Sequence, residues 1–506
     1  MEGSPWPFVG FVFGMLILGQ LMGGVVCGSA HAGSSHISKG DLLKNRQYRT
    51  NAELVFYVDP TGNDANACTA TGTDACLTIQ GALNKAPKLL RHQVTVNLAA
   101  GNYAGFTVSG FTIDPSIQRA TAGILIDGVL ANVVPTTGSA TGTATSGSAG
   151  SGITFGVLTD TAAAWTVSDT TMLGKLLLIT GGTGSGQTKM ITANTDTTIT
   201  IAGAFSPAPD ATSTYAVQAP SAIITSAAAG IPSPIGTASG GFSSAGVQIF
   251  NNNENGTTFG VTLRNVGIAT GSTAAVTVSG GQNVELLQVV STGTGASSIN
   301  QNSTGTSLTS SFAGQISASN GSVLTVTSNY IAGALAGVAS LSRANVAVTT
   351  SRVTTTSAAG VPLGASQGAG ITPINVYCDC TSGAGSACVS VNSGHSATPA
   401  ALATHDSAAS VGSISVTNCT YGISVGPRGS VVANSATSTI TGNALTYAVL
   451  ASWGGMVTLP ATTPTITAVT AELALDNGAA VDSFTTLAAT YDCIAIPTTD
   501  SKVCRL

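Results

Sequence analysis

Apolar and polar residues alternate in short runs along most of the chain, and glycine, asparagine or serine breaks each run. Val94-Thr95-Val96-Asn97-Leu98 shows the period of two expected of a strand with one buried face. Similar runs begin at Leu54, Gly123, Val261, Val276, Val284, Val323, Asn345, Cys388 and Ser413. One segment departs from this period. Between Thr78 and Ala86 the apolar positions are Ile79, Ala82, Leu83 and Ala86, which is helical spacing. Pro87 closes that helix, because the residue before a proline avoids the α region. Ala100 to Tyr103 reads as the turn after the Val94–Leu98 strand.

Two stretches repeat. "YGISVGPRGSVVAN" (421–434) and "YAVLASWGGMVTL" (447–459) each give a strand, a glycine corner and a second strand. Tyr421 and Tyr447 are 26 positions apart (447 − 421), within the spacing of about 20–50 residues that marks solenoids. The order "TIQGAL", strand, then Gly101-Asn102-Tyr103 resembles the N-terminal cap of the pectin-lyase-like superfamily. That resemblance implies a single-stranded right-handed parallel β-helix, all-β apart from a capping helix that plugs the open end of the solenoid. The expected organisation is a signal peptide (1–32), a linker (33–51), the cap and first coils (52–136), an inserted small antiparallel β-module (137–219) and the β-helix body (220–506).

Within the expected insert, strands are predicted at Trp165–Val167, Lys175–Thr180, Thr188–Thr192, Thr197–Ile201 and Tyr215–Val217. The segment "GGTGSGQTKMI…NTDTTITI…PDATSTY" resembles a module of phage-tail-like and bacterial surface β-helix proteins. Gly181 to Thr188 also has the spacing of a phosphate-binding loop, with Gln187 in the lysine position. Such a loop needs a lysine and a following helix, whereas Thr188 onward reads as a strand. A glycine hairpin is expected here, and no nucleotide.

Only 7% of the 506 residues are charged, and the formal net charge is −5. A nucleic-acid partner requires clustered lysine and arginine, so none is expected. The apolar run from Phe8 to Val26, followed by Ala30-His31-Ala32, has the form of a secretory signal with its cleavage site. Glu2 and the absence of an early basic residue depart from that form, and an uncleaved anchor is the alternative. Secretion or display at the cell surface is expected, with the periplasm also compatible and no stable membrane span after export. Apart from Cys27 there are eight cysteines: Cys68, Cys76, Cys378, Cys380, Cys388, Cys419, Cys493 and Cys504. Cys68 with Cys76 and Cys493 with Cys504 form local pairs suited to disulfides. The middle four suit two further disulfides of open connectivity, and their spacing is not that of a usual zinc site. No cofactor or metal is expected.

Motifs for catalysis are sparse. The sequence lacks the paired acids of pectin methylesterases and polygalacturonase-like hydrolases, and Gly394-His395-Ser396 is only an echo of the latter. One group carries candidate chemistry: Asp379, His395, His405 and Asp406, with Arg428 one or two coils later. Asp and His would act as acid and base there, and Arg on an acidic sugar; ordinary turn residues of a disulfide-held loop are the alternative. Tyr421, Tyr447 and Trp453 would form either an outward glycan platform or a stack inside the solenoid. Asn251 to Asn255 reads as an asparagine-rich corner. Flat Thr/Ser faces can also bind ice, but no regular T-x-T ladder is visible from coil to coil. A non-catalytic structural, adhesive or glycan-binding protein is therefore expected, with a polysaccharide or surface glycan as partner. The alternatives are a divergent polysaccharide lyase or glycoside hydrolase, and a receptor-binding tail spike. The oligomeric state is open.

Overall fold

The computed structural model describes residues 49–114, 122–226, 245–250, 260–269, 275–291, 298–333, 336–355, 360–380, 387–391, 407–433, 439–443, 447–452, 455–459, 465–466, 471–476, 480–483, 492–495 and 502–505. The expected signal peptide, Asn251 to Asn255, His395, His405, Asp406 and Trp453 lie outside the described residues. The chain is a parallel β-helix. Each coil visits three sheets in turn, as in Asn345–Thr349 (first sheet), Arg352–Thr355 (second), Val361–Ala365 (third) and then Gly370–Ile374 (first again). Among the described residues these sheets have 13, 11 and 13 strands. Pairing is in register from coil to coil, so a side chain recurs directly above its counterpart about every 4.8 Å.

The period of two sets what is inside. In the first sheet Val94, Ile124, Val261, Val284, Thr306, Leu324, Val346 and Ile371 form one buried column, apolar except for Thr306. The residues between them face outward. At the corner from first to second sheet the chain turns through a left-handed residue, with φ of 56° at Ser328, 46° at Thr350 and 56° at Asn375. Just inside this corner Ser311, Asn329 and Ser351 stack in the core. Asn329 Nδ2 donates to Leu308 O at 3.0 Å and Thr327 O at 3.1 Å, and Asn329 Oδ1 accepts from Ser311 N. These bonds tie the corner to the coil beside it.

The cap helix, Ile79–Lys85, buries Ile79, Ala82 and Leu83, as its spacing predicts. Thr78 caps it by accepting from Gly81 N at 2.9 Å. Gln80 Oε1 accepts from Thr107 N, covering the exposed edge of the first third-sheet strand. One local expectation is corrected here. Gly101–Tyr103 is not a turn but the first strand of the second sheet, anchored where buried Tyr103 donates through its hydroxyl to Ala99 O. Thr50, placed in the linker by sequence, is buried, and its hydroxyl accepts from Arg91 N and His92 N.

An antiparallel sheet of eight strands, from Leu130–Asn132 to Thr214–Pro220, is inserted at one first-to-second corner. It has its own core of Leu158, Leu177, Ile179, Ile191, Ile199, Ile201 and Val217. Trp165–Val167 is irregular rather than a strand: Trp165 is buried edge-on to Tyr215, 6.0 Å away, and its Nε1 donates to Ser139 O. The glycine-rich stretch is the tip of a hairpin between Leu176–Gly181 and Thr188–Asn194. Gly182, Gly184 and Gly186 take φ of 70°, 82° and 87° there, values that side chains resist. Gln187 ties this tip to its neighbour, donating to Pro207 O and accepting from Ser206 N. Thr183 donates to Asp210 at 2.6 Å, which places a carboxylate beside the loop.

Candidate functional site

Two outer faces carry chemistry, on the second sheet and on the first. On the second, register stacks Phe312, Tyr330, Arg352 and Tyr377 on successive coils. The insert covers this column. Phe312 and Tyr330, with ring centroids 5.4 Å apart, pack against Leu176, Met190 and Ala202 of the insert. Gly174 approaches so closely that an added Cβ would lie 2.6 Å from the Phe312 ring. Higher up, Arg352 donates from Nη1 to Thr192 O of the insert at 3.1 Å and from Nη2 to Asp379 Oδ2 at 2.8 Å. Its guanidinium lies 4.8 Å from the Tyr377 ring centroid, and Phe155 of the insert reaches the same ring. Asn418 donates to the other Asp379 oxygen.

Asp379 therefore belongs to a seam between insert and solenoid. Its carboxylate oxygens take N–H donors from Arg352 and Asn418. The Arg428 backbone lies elsewhere, at the corner from third to first sheet, with φ of 55°. Two disulfides brace this region: Cys378–Cys388, and Cys380–Cys419, which closes a separation of 39 residues. Cys68–Cys76 forms near the cap. Cys493 and Cys504 are directly opposite in the antiparallel hairpin that ends the third sheet. Tyr421 and Tyr447 are register partners, as the repeat predicts. Tyr421 alternates in step with core residues Ile423 and Val425 and is half-buried.

The outer face of the first sheet differs. One outward column runs Asp127, Arg264, Leu287, Thr309, Thr327, Thr349, Ile374, and the next runs Leu125, Thr262, Glu285, Ser307, Thr325, Ala347, Thr372. All of them are partly or fully exposed, and the residue between the two columns in each strand is buried. Neighbours in a column are about 4.8 Å apart, and the two columns about 6.6 Å apart. Arg264 forms a two-pronged ion pair with Asp127, with Nε to Oδ1 at 2.9 Å, and Asn265 donates to the same carboxylate. Asp127, and more weakly Glu285, raise the pKa of Arg264 against the opposing effect of burial. Glu285 accepts from Thr262 at 3.3 Å and forms no ion pair among the described residues. Thr327 and Thr349 hydroxyls are 3.0 Å apart. A hydroxyl ladder thus does persist locally, broken by Ala347 and ended by Ile374. No signal within a short stretch of sequence marks this face, because its members become neighbours only through register.

No group of three or more His, Cys, Asp or Glu is placed to hold a metal among the described residues. Neither a family model nor a curated sequence matches the chain. Solved structures similar to it include a glycoside hydrolase (9% identity, 85% of this chain and 96% of that one, TM-score 0.25). Others are the Gp54 tailspike of Acinetobacter baumannii bacteriophage AP22 in complex with A. baumannii capsular saccharide (9%, 70% and 72%, 0.29) and the tailspike gp49 of Pseudomonas phage LKA1 (10%, 90% and 84%, 0.22). At these scores the likeness bears on neither ligand nor activity.

Proposed function

We propose that the protein is an exported, non-catalytic β-helix that binds a glycan on the outer face of its first sheet. The observation that carries this is the pair of exposed columns there, where hydroxyls, an Asp127–Arg264 pair and Glu285 line up at the repeat of the coils. A polymer of hydroxylated units offers hydrogen-bonding groups at intervals, and a rigid parallel sheet presents partners for them without ordering costs. Catalysis has less support. Both Asp379 oxygens already take N–H donors, from Arg352 and Asn418, in a seam beside the insert, so this carboxylate is engaged in holding the structure together. Three closed disulfides favour an oxidising compartment outside the cytoplasm.

Affinity electrophoresis through gels containing a panel of polysaccharides tests the proposal, with reducing ends and unsaturated products assayed alongside. Retardation by at least one polymer without product is expected. Thr327→Val with Thr349→Val should weaken that retardation, and Asp379→Asn should leave it in place. Product release from any polymer overturns the non-catalytic assignment. Retention that ignores the first-sheet variants overturns the placement of the site.

A further inference from the structure

The charges on this face also bear on which polymer it takes. Resting on the glycan-binding proposal above, we infer that the ligand is a neutral polysaccharide rather than an acidic one. A polyuronate or sulfated chain needs cations free to meet its anions. Arg264 is the cation of the two columns traced from Asp127 to Ile374 and from Leu125 to Thr372, and Asp127 already takes two of its N–H groups. Next to it Glu285 adds a carboxylate with no ion pair among the described residues. An anion meeting Arg264 would have to displace Asp127 or lie against Glu285, and both are unfavourable. The molecule as a whole, at −5, adds no long-range attraction for a polyanion.

The rest of the face matches neutral sugars. Ser307, Thr309, Thr325 and Thr372 each carry one O–H donor and two acceptor positions, the same inventory as a sugar hydroxyl, and Thr327 and Thr349, bonded to each other, keep acceptor positions beside them. Glu285 accepts only, and a neutral polyol supplies donors to it. Leu125 and Leu287 flank the charged centre and provide apolar contact for the C–H faces of a sugar ring. Nothing in this set selects for a carboxylate or a sulfate.

The test compares hydroxyethyl cellulose, dextran and xylan with polygalacturonate and heparin in affinity gels at low and high salt, using the full chain with its disulfides intact. Retention on a neutral polymer, little changed by salt, is the expected result. Glu285→Lys should cut that retention about fivefold, the effect of losing one net hydrogen bond of about 1 kcal/mol, and should create salt-sensitive retention on polygalacturonate. If the unmodified protein is retained only on the acidic polymers and released by salt, the neutral assignment is wrong while glycan binding stands. Retention on neither class removes the glycan-binding proposal itself, and with it this inference. Circular dichroism of Glu285→Lys separates a lost site from a lost fold.

Discussion

The outer faces of the first and second sheets are built by the same coils, yet one is left open and the other is covered. Where the outward column reads Phe312, Tyr330, Arg352, Tyr377, the insert docks on it. Where it reads Thr309, Thr327, Thr349, the face stays partly exposed. Large aromatic side chains on a flat face gain by burying area, and small hydroxylic ones gain little. In this architecture the core sets the fold, and the outward residue of each coil decides whether a face is an internal seam or remains available to a ligand.

The covered side can be broken most severely through its covalent brace. Removing Cys380–Cys419 by the double Cys→Ser change frees a closed loop of 39 residues and should cost about 4 kcal/mol. Denaturant unfolding of the double variant would show it, and an unchanged midpoint would mean that the bond adds nothing beyond the packing. Arg352→Ala comes next. It removes the donors to Thr192 O and Asp379 and leaves a half-buried carboxylate without its cation, for about 2–3 kcal/mol. Hydrogen exchange should rise at 188–201 in the insert while the first sheet stays protected; equal rises in both would dissolve the distinction between the faces.

A smaller effect of opposite sign is expected two positions along the same strand. The Thr354 hydroxyl is buried with no hydrogen-bond partner among the described residues, so Thr354→Val should raise stability by up to about 1 kcal/mol. A clear loss would show that this hydroxyl is satisfied after all. The mildest effect concerns pH at the hairpin tip. The Thr183 hydroxyl, with Thr212 and its backbone N–H, lowers the Asp210 pKa to about 2. A carboxyl whose folded pKa lies below its unfolded value of about 3.9 stabilises the folded state above that pH and loses the contribution as pH falls toward 2. Carbon-detected NMR titration of Asp210 should give that low midpoint, and Asp210→Asn should make the tip's amide shifts insensitive to pH below 4.

Much of the fold is legible in the sequence. The strict alternation at Val94–Leu98 and the helical spacing of Ile79, Ala82 and Leu83 predict the elements found there, because each buries one face against a continuous core. Local misreadings fall where packing outweighs pattern. Gly101–Tyr103 looks like a turn because it is short, and it is a strand because the sheet beside it extends. Trp165 looks like a strand residue because it is apolar, yet it fills the insert core from a loop. The candidate sites are much less legible. Asp379 draws attention through its cysteine neighbours, but its partner Arg352 is 27 residues away. Asp127 and Arg264 are separated by 137 residues, with the whole insert between them. The Thr327–Thr349 step is 22 residues. Coil lengths vary, so no fixed spacing exposes the ladder.

The insert leaves and rejoins the coil at nearly the same point. Gly128 N donates to Arg264 O before it, and Ser221 N donates to Val129 O after it, so its two ends lie side by side. The next strand, Ala222–Ile224, resumes pairing with Gly101–Tyr103 below and Val266–Ile268 above, without a missed step. The solenoid thus behaves like a spring with a tag clipped to a single turn. A chain running from Gly128 to Ala222 through a short corner would keep its pitch, and the same corner would accept an unrelated domain whose termini are close together.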